Sequence, residues 1–307
     1  MKYTPDRFTY GAELELADID SQRGLPPGFG WDRKDVSMVN SNGVAVDPTH
    51  RLYRYGGEIN TPPTTTIEEQ VKAFKLALNR FPGATVNYRS NLHVHIGINS
   101  LRHDLVTLKA AQTYIHKQMP QVLPLIEPIP KPSRTDYTEE AFVGALWRYK
   151  RRYRSHQTLL SAKRLCAQSK TTTPEQFFRA EVPASKAGKP MWHAQRRCCV
   201  NLRHLRETDT VEFRHFPGTL NPIEFQSALI WCREFTNAML NTQEPALDLF
   251  NRLILKLPKF EPYIHDIEQG YLLTCHDGTV PCKLLPGNIQ KVLDWRLDHE
   301  SISTMSS

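Results

Sequence analysis

Four short segments of the chain place acidic, imidazole or guanidinium side chains within the alternating pattern of a β-strand. They are "YGAELEL" with Glu13 and Glu15, "YGGEINTPP" with Glu58, "NLHVHIG" with His93 and His95, and "TVEFRHF" with Glu212 and Arg214. Because successive side chains of a strand point to opposite faces, each pair shares one face and the apolar residues between them share the other. Such a face offers several carboxylates, two imidazoles and one guanidinium.

Carboxylates packed this closely cannot all stay ionised unless a positive charge lies among them. Divalent cations meet that need, and oxygen-rich sites favour Mg²⁺ or Mn²⁺, to which an imidazole can also bind. Arg214 and the adjacent pair Arg196 and Arg197 are suited to phosphate, because guanidinium groups bind phosphate oxygens through two parallel hydrogen bonds. The four segments together therefore predict a divalent-metal site next to a phosphate-binding site.

Each segment taken alone also has a simpler interpretation. An E-x-E strand is more often the solvated face of an antiparallel sheet, and an H-x-H pair is more often exposed or hydrogen-bonded than metal-binding. The combination of four such strands is what favours a functional site. The same alternation places His204 and His215 on the faces opposite to the site, so they are not predicted to belong to it.

The elements that must position these residues are strands joined by capped helices. Strands are predicted over 8–19, 52–63 and 85–99, and a hairpin is predicted from 196–205 and 210–216 across the turn "RETD". Thr66 with Glu69 three residues later has the pattern of a capping box, which predicts a helix start. Asn221 followed by Pro222, with Glu224 as its box partner, predicts a second helix start.

Composition limits the class of protein. The chain has 307 residues, enough for one large domain or about two. The 39 Lys and Arg residues exceed the 32 Asp and Glu residues, which suits a nucleotide, a nucleic acid or another acidic partner. There is no C-x-x-C pair, no apolar stretch near "MKYTPDRFTY" and no long apolar run, so a reducing, cytoplasmic location without a membrane partner is predicted.

The middle and the end of the chain carry less chemical information. A helical pattern begins near Arg102 and runs toward Met119, where a series of prolines starting at Pro120 is expected to interrupt it. The basic run over 148–154 is predicted to be a solvated helix face, with nucleic-acid binding as the minority interpretation. The tail beyond Thr242 is predicted to be helical in part.

In their order along the chain, the four segments resemble the successive motifs of the amidoligase family. The resemblance spans about residues 8–240, and "WDRKDVS" over 31–37 is similar to the family's segment between the first two motifs. Amidoligases are carboxylate–amine ligases of the glutamine-synthetase-like fold. The resemblance implies an α+β fold with a curved, mainly antiparallel sheet and helices on its outer face. It implies a single catalytic domain over 1–307, with a helical and loop insertion at about 100–195 and a helical tail at about 243–307.

The resemblance also implies a reaction. Family members phosphorylate a substrate carboxylate with ATP, and an amine then displaces phosphate from the acyl phosphate to form an amide or isopeptide bond. Mg²⁺ or Mn²⁺ neutralises the triphosphate and holds the attacking and leaving oxygens in line. The substrates implied are a small-molecule or peptide carboxylate and an amine, or a group on a protein.

Family roles can be assigned to matching positions of this sequence. The implied metal ligands are Glu13, Glu15, Glu58, His93 and Glu212. His95 faces the ATP phosphates, and Arg214 contacts the phosphoryl group in transfer, assisted by Arg196 or Arg197. Asn201 lies near the bound nucleotide and substrate, and Gly97 lets the chain pass close to the nucleotide.

Two other classes of function remain open from the residues alone. A metal-dependent oxygenase or cupin-like enzyme can use an H-x-H pair with a distant carboxylate. A basic nucleic-acid-binding protein is suggested by the net charge of +7 and the run over 148–154. The oxygenase site needs neither the E-x-E pair nor a strand arginine, and both alternatives rank below the ligase.

Overall fold

A computed structural model describes residues 3–19, 24–32, 56–86, 90–126, 162–180, 198–254, 263–267, 270–275 and 278–283. Its largest element is a six-stranded sheet with the strand order β2-β3-β1-β4-β6-β5, in which all neighbours are antiparallel. The strands are β1 (Thr9–Ala17), β2 (Gly30–Asp32), β3 (Gly56–Asn60), β4 (Asn91–Gly97), β5 (Val200–Asn201) and β6 (Thr210–Pro217). The mainly antiparallel α+β class predicted from the sequence is confirmed.

Helices complete the fold. Within the described residues the α-helices are α1 (Ile67–Arg80), α2 (Leu105–Ile126), α3 (Ala162–Ser169), α4 (Pro174–Ala180), α5 (His204–Thr208), α6 (Pro222–Asn237) and α7 (Ala246–Ile254). Helices α1 and α6 pack against each other, α1 also contacts β1, and α6 also contacts β4. The Phe74 ring of α1 stacks on the Phe225 ring of α6 with centroids 4.2 Å apart. These helices cover one face of the sheet.

The core is built from the apolar half of each alternating strand. Leu14 and Leu16 of β1, Val94 and Ile96 of β4 and Phe213 of β6 are all buried in one cluster with the helices. Burying an aliphatic side chain of this size contributes roughly 1.5–3 kcal/mol, so this face fixes the register of each strand. The ionisable residues that alternate with these apolar residues therefore lie on the opposite face of the sheet.

Both predicted helix starts are confirmed. The Thr66 side chain accepts a hydrogen bond from the Glu69 amide while Glu69 accepts one from the Thr66 amide, which is a complete capping box. Asn221 caps α6 by accepting from the Ile223 amide, and Pro222 occupies the first helical position. Glu224, however, accepts from the Thr219 hydroxyl, so its observed partner is the residue that precedes the cap by two.

The predicted hairpin over 196–205 and 210–216 is only partly present. Val200 and Asn201 pair with β6 in the expected antiparallel direction, but the chain then turns into helix α5 before β6 begins. The tight turn "RETD" is therefore replaced by a helical connection. Leu205, fully buried, anchors that connection to the core.

Helix α2 continues past Pro120, where the sequence predicts an interruption, and ends at Ile126. Met119 and Val122 on either side of this proline are completely buried. Their packing compensates for the hydrogen bond that a proline cannot donate.

In the part of the tail that the structure describes, helix α7 is followed by a second sheet. The three strands β7 (Tyr263–Ile267), β8 (Gly270–Cys275) and β9 (Gly278–Lys283) form an antiparallel meander. The sequence signal for it is "CHDGT", because Asp-Gly between alternating residues is typical of a hairpin. None of the helices in the described ranges is long and apolar enough to cross a membrane.

Gly218 is required by a close approach of two chain segments next to the sheet. A Cβ atom there would lie 2.5 Å from the Ser90 Cβ and 3.1 Å from the Ser90 carbonyl carbon. Gly218→Ala is expected to destabilise the fold by about 1–3 kcal/mol, as overpacking does. Gly83→Ala is the matched control, because a Cβ atom at Gly83 meets nothing within 4 Å. Chemical denaturation checks both, and equal midpoints for the two variants would contradict this expectation.

Candidate active site

The register of the sheet brings the predicted residues onto one face. Glu13 on β1 is paired with His93 on β4, and His95 on β4 is paired with Glu212 on β6. On the other side of β1, Glu15 is paired with Glu58 on β3. Directly opposite residues lie about 4.5–5.5 Å apart, so the four strands form a continuous row of ionisable groups. The predicted grouping of these side chains is confirmed.

Glu13 lies at the centre of the group. Its Oε2 atom is 2.6 Å from Nδ1 of His93, and its Oε1 atom is 3.1 Å from Nε2 of His95. The other ring nitrogen of His95 is 3.2 Å from the Thr210 hydroxyl. One carboxylate of β1 therefore bridges both histidines of β4.

Glu212 is fully buried and surrounded by donors. Its Oε1 atom accepts from Nη1 of Arg214, and its Oε2 atom accepts from the Asn201 amide at 2.8 Å. Nε2 of His204 lies 3.0 Å from the same Oε2 atom. Because an ionised carboxylate only accepts, these three groups stabilise its charged form.

Glu15 is held by a neighbour that the sequence prediction did not include. The backbone amide and side-chain amide of Asn91 donate to Oε2 of Glu15 at 3.0 and 2.6 Å. Asn91 precedes His93 by two residues, so the period of the strand already places it on the same face. The alternation of the strand is therefore a sequence signal that identifies Asn91.

Electrostatics keep the two central carboxylates charged. Burial by itself would raise the pKa of Glu13, but hydrogen bonds from His93 and His95 outweigh it and hold that pKa well below its usual value. Burial would likewise raise the pKa of Glu212, whereas the charge of Arg214 and the hydrogen bond from His204 lower it. Burial would lower the pKa of His95, but its hydrogen bond to Glu13 raises it. The face therefore holds anionic oxygens under the conditions in which enzymes operate.

The donor set fits divalent metal ions at two positions. Ligand atoms of Glu13, His95 and Glu212, here called the Glu212 cluster, all lie within 4.8 Å of one another. The same holds for Glu13, Glu58 and His93, here called the Glu58 cluster. Nε2 of His93, a residue only 1% exposed, has no hydrogen-bond partner within the described part of the chain. A buried ring nitrogen that has no hydrogen-bond partner and lies among carboxylates has the surroundings of a metal ligand.

His204 was excluded by the sequence prediction, and that exclusion is wrong because its ring contacts Glu212. The prediction continued the alternation of a strand through residue 205, but α5 begins at His204 and changes the direction of the side chain. His215, by contrast, is buried in the core, in agreement with the prediction.

The remaining predicted positions have different outcomes. Arg196 and Arg197, the run over 148–154 and most of "WDRKDVS" lie outside the described residues, so their roles stay predictions. Gly97 lies at the end of β4, where a Cβ atom would be 2.1 Å from the Thr9 hydroxyl. In this structure Gly97 therefore permits a close approach of β4 to β1.

The family model described as "Putative amidoligase enzyme" matches residues 9–236, the span that contains all four strands of the site. The chain belongs to the amidoligase family. No match was found among curated proteins. Among solved structures, this amidoligase-family chain is similar to a bifunctional glutathione synthetase from Pasteurella multocida, with 12% identity and a TM-score of 0.39. That alignment covers 82% of this chain and 41% of the synthetase chain, and such a TM-score is too low to establish a common fold.

The cupin-like alternative does not fit the clusters of this amidoligase-family chain. A facial iron site needs two histidines and one carboxylate. Each cluster found in the described ranges has one histidine and two carboxylates, so hard oxygen ligands outnumber nitrogen ligands in it. Both clusters are therefore richer in carboxylate oxygens than such an iron site.

His215 has a consequence for acid stability. Burial lowers the pKa of His215 to about 4, and Nδ1 contacts the Cys199 carbonyl at 3.2 Å. The unfolded chain binds this proton near pH 6.5, so its contribution to stability is complete above that pH and is lost toward pH 4. The loss is at most about 3 kcal/mol, from 1.36 kcal/mol per pKa unit.

The test is the free energy of unfolding at pH 7 and at pH 4.5 for wild type and His215→Gln. The decrease with falling pH is expected to be smaller in the variant, because glutamine does not titrate. Equal decreases in the two proteins would show that His215 titrates normally in the folded state.

Proposed function

We propose that this protein is an ATP-dependent carboxylate–amine ligase that works through an acyl phosphate. The observation that carries the proposal is the single sheet face where Glu13, Glu15, Glu58 and Glu212 meet His93, His95 and Arg214. Family membership supports the ligase class, and the donor set supports the choice of metal and nucleotide. We also propose that this sheet is the catalytic sheet of a glutamine-synthetase-like fold.

The proposed reaction has two steps. A carboxylate oxygen of the substrate attacks the γ-phosphorus of ATP, the bond to the β,γ-bridging oxygen breaks, and ADP leaves. An amine then attacks the carbonyl carbon of the acyl phosphate and loses a proton. The carbon–oxygen bond breaks, and phosphate departs with the oxygen that came from the carboxylate. Phosphorylation is needed because a free carboxylate is a poor electrophile.

In this proposal the Glu212 cluster and the Glu58 cluster each hold one Mg²⁺ or Mn²⁺ ion. Glu15 lies beside them, with its Oε1 atom 3.8 Å from Nε2 of His93, and is a further ligand candidate. Bound divalent ions supply charge neutralisation for the triphosphate and for oxygens in transfer. Asn91 and Asn201 hold Glu15 and Glu212 in place through the amide hydrogen bonds described above.

Arg214 provides a fixed positive charge on this face. Its guanidinium is anchored on Glu212, and burial, which would lower its pKa, is outweighed by the charges of Glu212, Glu13 and Glu15. A guanidinium that remains charged beside the metal clusters can stabilise the equatorial oxygens of a transferring phosphoryl group. Arg196 or Arg197 is proposed to assist it.

The experiment is an ATP-dependent hydroxamate assay with Mg²⁺ or Mn²⁺. Hydroxylamine serves as the amine, and a pool of amino acids and peptides supplies the carboxylates. Hydroxamate that requires both ATP and a particular acid is the expected result, and it also identifies that acid. Absence of any nucleotide binding, measured by calorimetry with Mg·ATP, would contradict the proposal.

A further inference from the structure

Among the site residues that the structure describes, His204 is the one that comes from a helix. Helix α5 starts at this residue and is held by Leu202 and Leu205, both buried in the core. Its ring reaches back over β6, with Nε2 3.0 Å from Oε2 of Glu212. A histidine fixed by the packing of its neighbours can hold a carboxylate in one orientation.

The two carboxylate oxygens of Glu212 have different contacts. Oε2 receives His204 and Asn201, which occupy the directions in which it accepts hydrogen bonds. Oε1 lies on the other side, next to Arg214 and 3.9 Å from Nδ1 of His93. Oε1 is therefore the oxygen on the side of the His93 ring, and the donors on Oε2 decide where it points.

His204 also contacts a second member of the same cluster. Its ring meets the ring of His95 edge to face, with centroids 5.4 Å apart and planes 78° apart. Glu58, in contrast, lies on β3, which β1 and β4 separate from β6 in the sheet order. Neighbouring strands lie about 4.8 Å apart, and the contacts of His204 described here are with Glu212 and His95, two members of the Glu212 cluster.

We propose that His204 is a positioning residue that orients Glu212 and His95 for the metal ion of the Glu212 cluster, and that it acts on this ion selectively. The inference rests on the proposed function, because it assumes that both clusters bind metal. It assigns to α5 the task of setting the geometry of one metal position.

The test is Mn²⁺ binding to the full chain without nucleotide, followed by electron paramagnetic resonance. His204→Leu removes the donor, whereas His204→Gln keeps an N–H near the position of Nε2. In His204→Leu, one class of Mn²⁺ site is expected to weaken by about 10–100-fold while the other class is unchanged. His204→Gln is expected to recover most of the affinity. His103→Leu, a substitution of an exposed histidine, is the matched control.

Thermal melting in the presence of a chelator shows whether each variant is folded before metal is added. Wild-type Mn²⁺ affinity in His204→Leu would overturn the inference, and so would an equal loss at both classes of site. Glu58→Gln separates the two claims. Weaker Mn²⁺ binding at one class of site in Glu58→Gln, with no weakening at either class in His204→Leu, would support the metal clusters and refute the role of His204. If neither variant changes Mn²⁺ binding, the metal assignment of the proposed function falls as well.

Discussion

Replacing Glu212 by glutamine is expected to lower kcat for ATP-dependent amide formation by about 10³-fold. The change keeps the shape of the side chain but removes a negative charge that is completely buried and held by Arg214, Asn201 and His204. One candidate metal cluster loses an anionic ligand, and Arg214 loses the partner that anchors it. Removing one well-placed electrostatic group from an active site costs about 10²–10³-fold in kcat. The loss here is expected at the upper end because two functions depend on one carboxylate.

The measurement is initial rate of hydroxamate formation, with circular dichroism and thermal melting to establish that the variant is folded. Breaking a buried ion pair also costs stability, about 3–5 kcal/mol, so rates are compared below the melting transition. Glu175→Gln is the matched control, since Glu175 forms an exposed pair with Arg206 that contributes little. A folded Glu212→Gln protein with the wild-type rate would remove Glu212 from the catalytic site.

Replacing Arg214 by lysine is expected to lower kcat by about 10³-fold although the formal charge is conserved. The guanidinium of Arg214 bonds Glu212 and still has further N–H groups in a fixed plane. An arginine that stabilises a transferring phosphoryl group contributes about 10³–10⁵-fold to kcat. A lysine ammonium is a point charge and cannot reproduce the planar arrangement. The KM for ATP is expected to change much less than kcat, because the contact strengthens in the transition state.

The control for this variant is Arg206→Lys, which makes the same substitution in the exposed pair with Glu175. Steady-state kinetics with the acid identified in the hydroxamate assay give kcat and KM separately. A large rise in KM with kcat unchanged would assign Arg214 to binding of ATP in its ground state. A wild-type kcat would exclude Arg214 from phosphoryl transfer.

The faces of β1, β4 and β6 could be predicted from sequence because alternation is a local property of an extended chain. Each of these strands buries its apolar half, and a slip by one residue would move the whole apolar set into the site. The pairing of Glu13 with His93 depends on tertiary structure. It nevertheless follows once the buried face of each strand is fixed and the strands are antiparallel. For this reason the candidate site could be anticipated before the structure.

The parts that could not be predicted depend on contacts between distant segments. His204 escaped detection because burial of Leu205 starts a helix where the pattern favoured a continuing strand. Helix α2 passes Pro120 because packing of Met119 and Val122 outweighs the local preference. In both places tertiary packing overrides the propensity of the segment.

The acyl phosphate is the central claim, and an oxygen-18 transfer experiment tests it most directly. The acid identified by the hydroxamate assay is labelled with oxygen-18 in its carboxyl group and incubated with the protein, ATP, Mg²⁺ and an amine. The released phosphate is then analysed by mass spectrometry. Transfer of one labelled oxygen into phosphate for each amide formed is the expected result, because that oxygen bridges carbon and phosphorus in the intermediate. Amide formation with unlabelled phosphate would contradict the proposed mechanism.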